Sequence, residues 1–176
     1  MTYVALLRAI NLAGRNRVAM SALREFAEAL HLEEPRTLLQ SGNLVFRSRT
    51  RAEVLERELE AGVQTHLGVD VEFFVRSASE WVSIVARNPF KNEAKRDPGL
   101  LVAVLLKDAP DAKHAKALQA AIVGREVVRI DGRHAYVVYP DGQGRSRLTS
   151  TLIEKTLGTR GTARNWNTVL KLRDIL

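Results

Sequence analysis

Residues 126–139 read EVVRIDGRHAYVVY, and this stretch decides the fold. Two runs rich in β-branched and aromatic residues flank Asp131-Gly132. An Asp-Gly step between such runs is the strongest short-range signal for a β-hairpin. The stretch therefore predicts two antiparallel strands, Glu126–Ile130 and His134–Tyr139, joined by a tight turn.

The segments on either side extend this hairpin. Leu100–Lys107 is a continuous apolar run, which is typical of a buried strand. Pro110 suits the first turn of a helix that runs to about Val123. After the hairpin the sequence predicts, in order, a helix, a short strand and a closing helix: Thr149–Leu157, Thr162–Arg164 and Trp166–Leu176. The order β-α-β-β-α-β is that of a ferredoxin-like unit.

The first half of the chain follows the same plan. Gly42 and Gly132 turn the two hairpins and lie 90 residues apart, as do the helices that begin near Ser21 and Asp111. The predicted elements are Tyr3–Ile10, Ser21–Leu30, Arg36–Ser41, Leu44–Ser48, Arg51–His66 and Val69–Val75. We therefore expect an α+β protein of two tandem ferredoxin-like (α-β plait) units with helices packed on antiparallel sheets. The expected divisions are residues 1–78, a helix and linker over 79–99, and residues 100–176.

Composition narrows the functional classes. The chain of 176 residues is 45% hydrophobic and contains no cysteine, which excludes a disulfide scaffold, a thiol nucleophile and Cys-ligated zinc. Its longest apolar run is far shorter than the ~20 residues that span a bilayer. The N-terminus lacks the pattern of a signal peptide. We expect a cytoplasmic protein with no membrane partner.

Positive charge is concentrated in the second half of the chain. The net charge is +7, and residues 91–176 carry all of it. Between Gly142 and Arg173, Glu154 is the one acidic residue among seven basic ones. Such asymmetry is typical of a surface for an anionic ligand or nucleic acid, although it also arises from solubility alone.

The glycine-bearing loop of residues 140–147, PDGQGRSR, is the first candidate site. It leaves a predicted strand and enters a predicted helix, whose N-terminus offers unpaired N–H groups and partial positive charge. Guanidinium groups suit phosphate or carboxylate. An anion site and a plain flexible turn are the alternatives. The residues assigned to the anion site are Gly142, Gly144, Arg145, Ser146, Arg147 and Arg164.

A second candidate rim combines the loop after the first strand with the first hairpin. Amide and guanidinium groups gather in these two segments, and the alternative is again an ordinary solvated turn. The candidate residues are Arg8, Asn11, Asn16, Gln40 and Asn43.

Other patterns favour structure over function. Trp166 fits a helix core, and Asn165 or Asn167 fits a helix cap. Thr151 and Glu154 match a capping box. The glutamates of the second helix, Glu56, Glu58 and Glu60, are interpreted as solvated.

No catalytic signature is found. Hydrolase, metalloprotease, Walker and dinucleotide motifs are absent, and the four histidines lack metal-ligand spacing. We therefore predict no cofactor and no metal. Phe46, Tyr136 and Tyr139 are the aromatic residues that could stack on RNA, but the RNA-recognition signature is missing.

Three ordered segments, Leu6–Met20, Gln40–Phe46 and Gly158–Val169, resemble the signature segments of the family called domain of unknown function 1697. The resemblance covers essentially the whole chain and implies a bacterial protein of two α-β plait units. It implies no established activity, substrate or catalytic residue. Ala9 and Ala13 stand where that family usually has glycine.

Three functional hypotheses remain. The first is a non-catalytic binding module for an anionic partner, either a phosphate-bearing small molecule or nucleic acid. The competing hypothesis is an enzyme acting on a small phosphorylated or carboxylate substrate, for which the sequence supplies no recognised acid/base pair. The third is an assembly role through exposed sheet edges. We expect a monomer or a homodimer.

Overall fold

The structure, a computed structural model, describes residues 1–8, 10 and 17–176. Asn11 and Asn16 of the second candidate rim lie outside the described residues, as do Ala9 and Ala13. The chain divides into two compact units, Met1–Ser83 with Leu172–Leu176, and Ile84–Lys171. A tandem α+β organisation is therefore confirmed.

The first unit has the predicted β-α-β-β-α-β order. Its four strands form an antiparallel sheet in the order β2-β3-β1-β4. The elements are β1 (Thr2–Leu7), α1 (Met20–Ala29), β2 (Glu33–Thr37), β3 (Asn43–Arg47), α2 (Ala52–Leu67) and β4 (Phe73–Ser77).

The second unit repeats this topology with the sheet order β6-β7-β5-β8. The predicted linker contains a short helix. From α3 onward the elements are α3 (Ala78–Ala86), α4 (Lys91–Arg96), β5 (Leu101–Leu106), α5 (Ala112–Ala121), β6 (Val127–Asp131), β7 (His134–Val138), α6 (Ser150–Leu157), β8 (Gly161–Asn165) and α7 (Trp166–Asp174).

Three predicted strands differ most from the observed ones in their bounds. The strand predicted over Tyr3–Ile10 is observed as Thr2–Leu7. The strand predicted over Arg36–Ser41 ends at Thr37, because Leu39 and Gly42 have φ values of 60° and 71° and turn the chain. The strand predicted from Val69 begins at Phe73, because its partner β1 ends at Leu7, opposite Phe73.

Each sheet buries one face beneath the helices of its own unit. The first core contains Tyr3, Ala5 and Leu7 of β1, together with residues of α1 and α2. The second contains Val102, Val104 and Leu106 of β5 in the same alternation. The intervening residues of both central strands are buried as well, so β1 and β5 are covered on both faces, which explains their continuous apolar runs.

Matching hydrogen bonds support the repeated plan. The N–H of Leu7 donates to Gly42 O at 2.8 Å, and that of Leu106 donates to Arg133 O at 2.9 Å. One residue later, Arg8 N–H donates to Glu72 O at 2.9 Å. The corresponding bond in the second unit joins Lys107 N–H to Arg160 O at 3.0 Å. Corresponding strand ends are therefore joined in the same way.

The outer strand β4 is closed by glutamate side chains. Its N–H groups at Phe73 and Val75 donate to the carboxylates of Glu60 and Glu56, at 2.9 and 2.7 Å. The interpretation of these glutamates as solvated was wrong, because residues four apart share one helix face and here that face meets the sheet edge. Glu58, between them, is exposed.

A third glutamate completes this edge. Ser77 N–H donates to Glu80 Oε2 at 2.8 Å, while Glu80 N–H donates to Ser77 Oγ at 3.2 Å. This reciprocal pair is a capping box that begins α3. The buried Arg76 donates to Val75 O at 2.8 Å and lies 3.7 Å from Glu56 Oε1. Strand β4 therefore has its outward N–H groups and the outward C=O of Val75 satisfied.

Strand β8 is closed in the same manner. Gly161 N–H donates to Glu154 Oε1 at 2.8 Å, and Arg164 donates to Ala163 O at 2.8 Å. The capping box predicted for Thr151 and Glu154 was wrong, because Thr149 caps α6 by accepting from Leu152 N–H at 3.2 Å. The Glu154 side chain therefore accepts from the edge strand β8 instead of capping the helix.

Replacing Glu56 with alanine should lower the free energy of unfolding by about 2–3 kcal/mol, because the buried Val75 N–H and Arg76 both lose an acceptor. Glu58→Ala, the same change two residues along the same helix, should cost at most about 0.5 kcal/mol. Chemical denaturation of both variants measures the difference. Equal costs would contradict the assigned role of Glu56.

Candidate functional site

The loop of residues 142–147, hereafter the arginine loop, is a series of hydrogen-bonded turns. It contains a single 3-10 turn, Gln143–Arg145. Gly142 N–H donates to Tyr139 O at 2.9 Å, and Ser146 N–H donates to Gln143 O at 3.2 Å. Gly142 has a φ of 84°, which favours glycine. The loop backbone therefore has a defined shape.

Ser146 anchors this loop from within. Its hydroxyl donates to the carboxylate of Glu126 and accepts from Leu148 N–H at 2.9 Å. The buried hydroxyl of Tyr139 donates to Leu148 O at 3.1 Å. Ser146 therefore has two bonds that fix the backbone between the arginines on either side of it.

Arg145 and Arg147 project from the anchored loop, and both are exposed. The nearby carboxylate of Asp141 is paired with Arg125, which donates from Nε at 3.1 Å. That hydrogen bond is the main cause of the lowered pKa of Asp141, and the charges of Arg125 and Arg145 lower it further. Asp141 is thus engaged by Arg125, whereas Arg145 and Arg147 point to solvent.

Sequence reasoning missed two residues that flank the loop, the donor Arg125 and the acceptor Glu126. The register of the predicted hairpin contained the information needed to place them. The register pairs Val127 with Val138, so residues just before β6 lie beside those just after β7. Extending that pairing by two residues would have placed Arg125 and Glu126 next to Tyr139–Asp141.

Arg164 does not join the arginine loop. Its neighbour Ala163 packs in the core beneath α5 and α6, so Arg164 lies on the other face of the sheet. It is 8% exposed and donates to Thr162 Oγ1 at 3.0 Å. Desolvation lowers the pKa of its guanidinium to about 10. In contrast, Gln143 of the loop lines a small depression with Val104 on the helix side.

Arg8 and Asn43 of the second candidate rim lie at the end of β1, where Asn43 pairs with Leu6. Arg8 forms an ion pair with Glu72 at 3.4 Å. Gly42 packs so closely that a Cβ there would come within 2.5 Å of Ile10 Cδ1. Asn43 is fully buried and donates to Leu38 O at 2.6 Å, which fixes the turn that leaves Gln40 exposed. Two of the three signature segments thus converge here.

A depression of about 300 Å³ at the far end of α6 was not predicted. It is lined by Thr151, Glu154, Lys155 and Gly158–Arg160. Exposed Lys155 and Arg160 contribute two positive charges to its lining, and Glu154, which accepts from Gly161 N–H, contributes one negative charge. Among residues 1–8, 10 and 17–176, no group of three or more histidines or carboxylates could hold a metal ion. No helix in these ranges could span a membrane.

The three aromatic residues considered for RNA stacking are buried. Phe46, Tyr136 and Tyr139 are each about 1% exposed. Tyr136 donates its hydroxyl to Ile84 O at 2.7 Å, and its ring lies 6.1 Å from that of Trp166. Trp166 is buried, as predicted, and Asn165 caps α7 by accepting from Thr168 N–H at 3.0 Å. These rings offer no stacking platform.

The family model for "Protein of unknown function (DUF1697)" matches residues 1–136. The chain belongs to the DUF1697 family. The match contains two of the three segments on which the resemblance rested, including the Gln40–Phe46 hairpin. Membership therefore confirms the sequence-based assignment.

Comparison of this DUF1697 protein with a solved structure bears on its fold and not on its activity. A solved structure described as "conserved bacterial protein SP0830 from Streptococcus pneumoniae" superposes with a TM-score of 0.78 at 21% identity. The alignment covers 99% of this chain and 97% of that one, so the fold is shared over the whole length. No curated protein matches the chain.

The tyrosines give a spectroscopic test of this packing. Burial raises the pKa of Tyr136 and of Tyr139 to about 12, and burial with nearby glutamates raises that of Tyr3. Ultraviolet titration of the native protein should show little tyrosinate near pH 10, where the three residues of the denatured chain ionise. Since the folded pKa values are raised, stability present below about pH 10 is lost as pH rises toward 12. Ionisation of all three tyrosines near pH 10 in the native protein would contradict the burial of these side chains.

Proposed function

We propose that the protein is a non-catalytic binding module for an anionic, phosphate-bearing partner, which it holds at the arginine loop. The observation that carries the proposal is the exposure of Arg145 and Arg147 on either side of the anchored Ser146. A guanidinium group presents a planar set of donors that suits phosphate oxygens. Two such groups on one short loop can contact one phosphate or two neighbouring ones.

Preorganisation supports the proposal. Binding to a mobile loop costs the entropy of ordering it, and this cost falls when the backbone is already fixed. Here the bonds from Ser146 to Glu126 and Leu148, and the turns around Gly142, fix the backbone before any ligand arrives. Only the two long side chains remain to be ordered.

The N-terminus of helix α6 also favours the binding of an anion beside the arginine loop. Its N-cap, Thr149, follows Arg147 by two residues, and the cap satisfies the amide of Leu152. The remaining amides of the first turn and the helix dipole favour negative charge at this end. The charge of the second half of the chain attracts an anion over a longer range. A cytoplasmic location belongs to the same proposal and is supported by the lack of cysteine.

The carboxyl groups of the protein favour a binding role over a catalytic one. A general acid at neutral pH needs a raised carboxyl pKa. Among the described residues, hydrogen bonds to neighbouring side chains or backbone lower the pKa values of the Asp111 and Asp141 carboxyl groups. Neither lowered pKa provides the general acid that a catalytic role would need.

A thermal-shift series tests the proposal, with inorganic phosphate, nucleotides, sugar phosphates, and short RNA and DNA as probes. A ligand at 100 times its Kd adds about 2.7 kcal/mol to stability and raises Tm accordingly. Arg145→Ala/Arg147→Ala should abolish the shift. The matched control, Arg49→Ala/Arg57→Ala, removes the same charge from exposed sites in the first unit and should retain it.

The salt dependence separates the two classes of partner. Binding to nucleic acid should weaken steeply between low and moderate salt because counterions are released, whereas a small phosphate ligand should respond weakly. Equal loss of binding in the loop and control variants would reduce the effect to net charge and overturn the assigned site. Absence of a shift with every probe would overturn the proposal.

A further inference from the structure

In the part of the chain that the structure describes, three of the four sheet edges hinder pairing with a further strand. Strands β4 and β8 have their outward groups taken by glutamates and arginines of their own unit, as described above. Strand β2 contains Pro35, which has no N–H, and its pairing with β3 shifts register between Glu33 and Arg36. Proline and irregular pairing both hinder the addition of a further strand.

The fourth edge, β6, is regular and lacks proline. Val128 O accepts from Gln119 Nε2 at 3.0 Å and from Arg129 Nη1 at 2.9 Å, so this carbonyl points away from β7. In an antiparallel strand the outward residues alternate, so the groups of Ile130 point outward as well. The outward carbonyl of Val128 is therefore covered, as are those of Val75 in β4 and Ala163 in β8. The outward amides are what distinguish this edge. Among the described residues no carboxylate accepts from an outward N–H of β6, and no side chain bonds to the backbone of Ile130.

We propose that β6 is the interface for a second copy of this chain, which pairs with it antiparallel about a two-fold axis at Ile130. Ile130 then lies opposite its own counterpart and exchanges both backbone hydrogen bonds. Val128 lies opposite Gly132 of the second copy, which has no side chain. In this pairing Gln119 and Arg129 release Val128 O, which then accepts from the N–H of that Gly132.

Charge complementarity selects this register and this partner. With the axis at Ile130, Arg129 of each copy lies opposite Asp131 of the other, which gives two favourable cross-strand pairs. With the axis moved to Arg129, that arginine would face itself. Arg129 is exposed and Asp131 is partly exposed, where it already accepts from Arg87 at 2.7 Å. A carboxylate can accept from a second guanidinium.

Exposed apolar residues lie beside the same edge. Val127, the first residue of β6, is 37% exposed, and Val123, four residues before the strand, is 72% exposed. A ladder of about five residues buries less than the roughly 1,200–2,000 Å² of a stable interface. The dimer is therefore weak and forms at high protein concentration.

Cysteine cross-linking tests the interface directly, because the natural chain has no thiol. Hydrogen-bonded antiparallel pairs have Cα atoms about 5.5 Å apart, within the disulfide range. Ile130→Cys should cross-link under mild oxidation about tenfold faster than Arg36→Cys on the closed edge β2. Equal rates, or a wild-type protein that stays monomeric in sedimentation at high concentration, would overturn the proposal and leave the edge to other partners.

A second variant keeps the proposal testable if Ile130→Cys proves unstable. Arg129→Asp places like charges opposite each other and should weaken dimerisation about tenfold. Arg49→Asp makes the same charge change at an exposed site in the first unit and should leave dimerisation unchanged. Equal effects of the two variants would also overturn the assigned interface.

Discussion

Carboxylates that reach across from helices to the outward amides of the edge strands are the interaction on which the rest of this fold depends. An unpaired buried N–H costs about 1–3 kcal/mol, and an open edge invites association with another chain. At β4, Glu56 and Glu60 lie on one face of α2 and accept from the outward amides. They therefore satisfy these N–H groups and also cover the edge. The same contacts hold α2 to the sheet in one register, so the closure of the edge and the packing of the core are coupled.

The second unit solves the same problem with different residues. One glutamate, Glu154, reaches Gly161, and Arg164 takes the outward carbonyl of Ala163. Arg76 and Arg164 occupy corresponding positions, opposite Val4 and Ala103 on the central strands. Burying a guanidinium is costly, as the lowered pKa of Arg164 indicates. That cost is offset because each guanidinium hydrogen-bonds to the strand that it covers.

The order of elements was predictable because it depends on local patterns: apolar runs for strands, three-to-four spacing for helices, and Asp131-Gly132 for the hairpin. The closed edges were not, because the partner of Glu56 lies 19 residues away and is a backbone amide, which no residue type marks. Arg164 was grouped with Arg145 for its charge alone. Strand alternation, which places it on the other face from the helix-packed Ala163, was the physical fact that the grouping ignored. For the arginine loop, the exposed cations were predictable, whereas the structural role of Ser146 required the position of Glu126.

Amide hydrogen exchange of the dilute protein, followed residue by residue, tests most directly the account of three closed edges and one open edge. The amides of Phe73, Val75 and Gly161 point away from their sheets but donate to carboxylates, so they should be strongly protected. The outward amide of Ile130 should exchange much faster. Equal exchange at Val75 and Ile130 would contradict the account, because the carboxylates would then provide no closure that the β6 edge lacks.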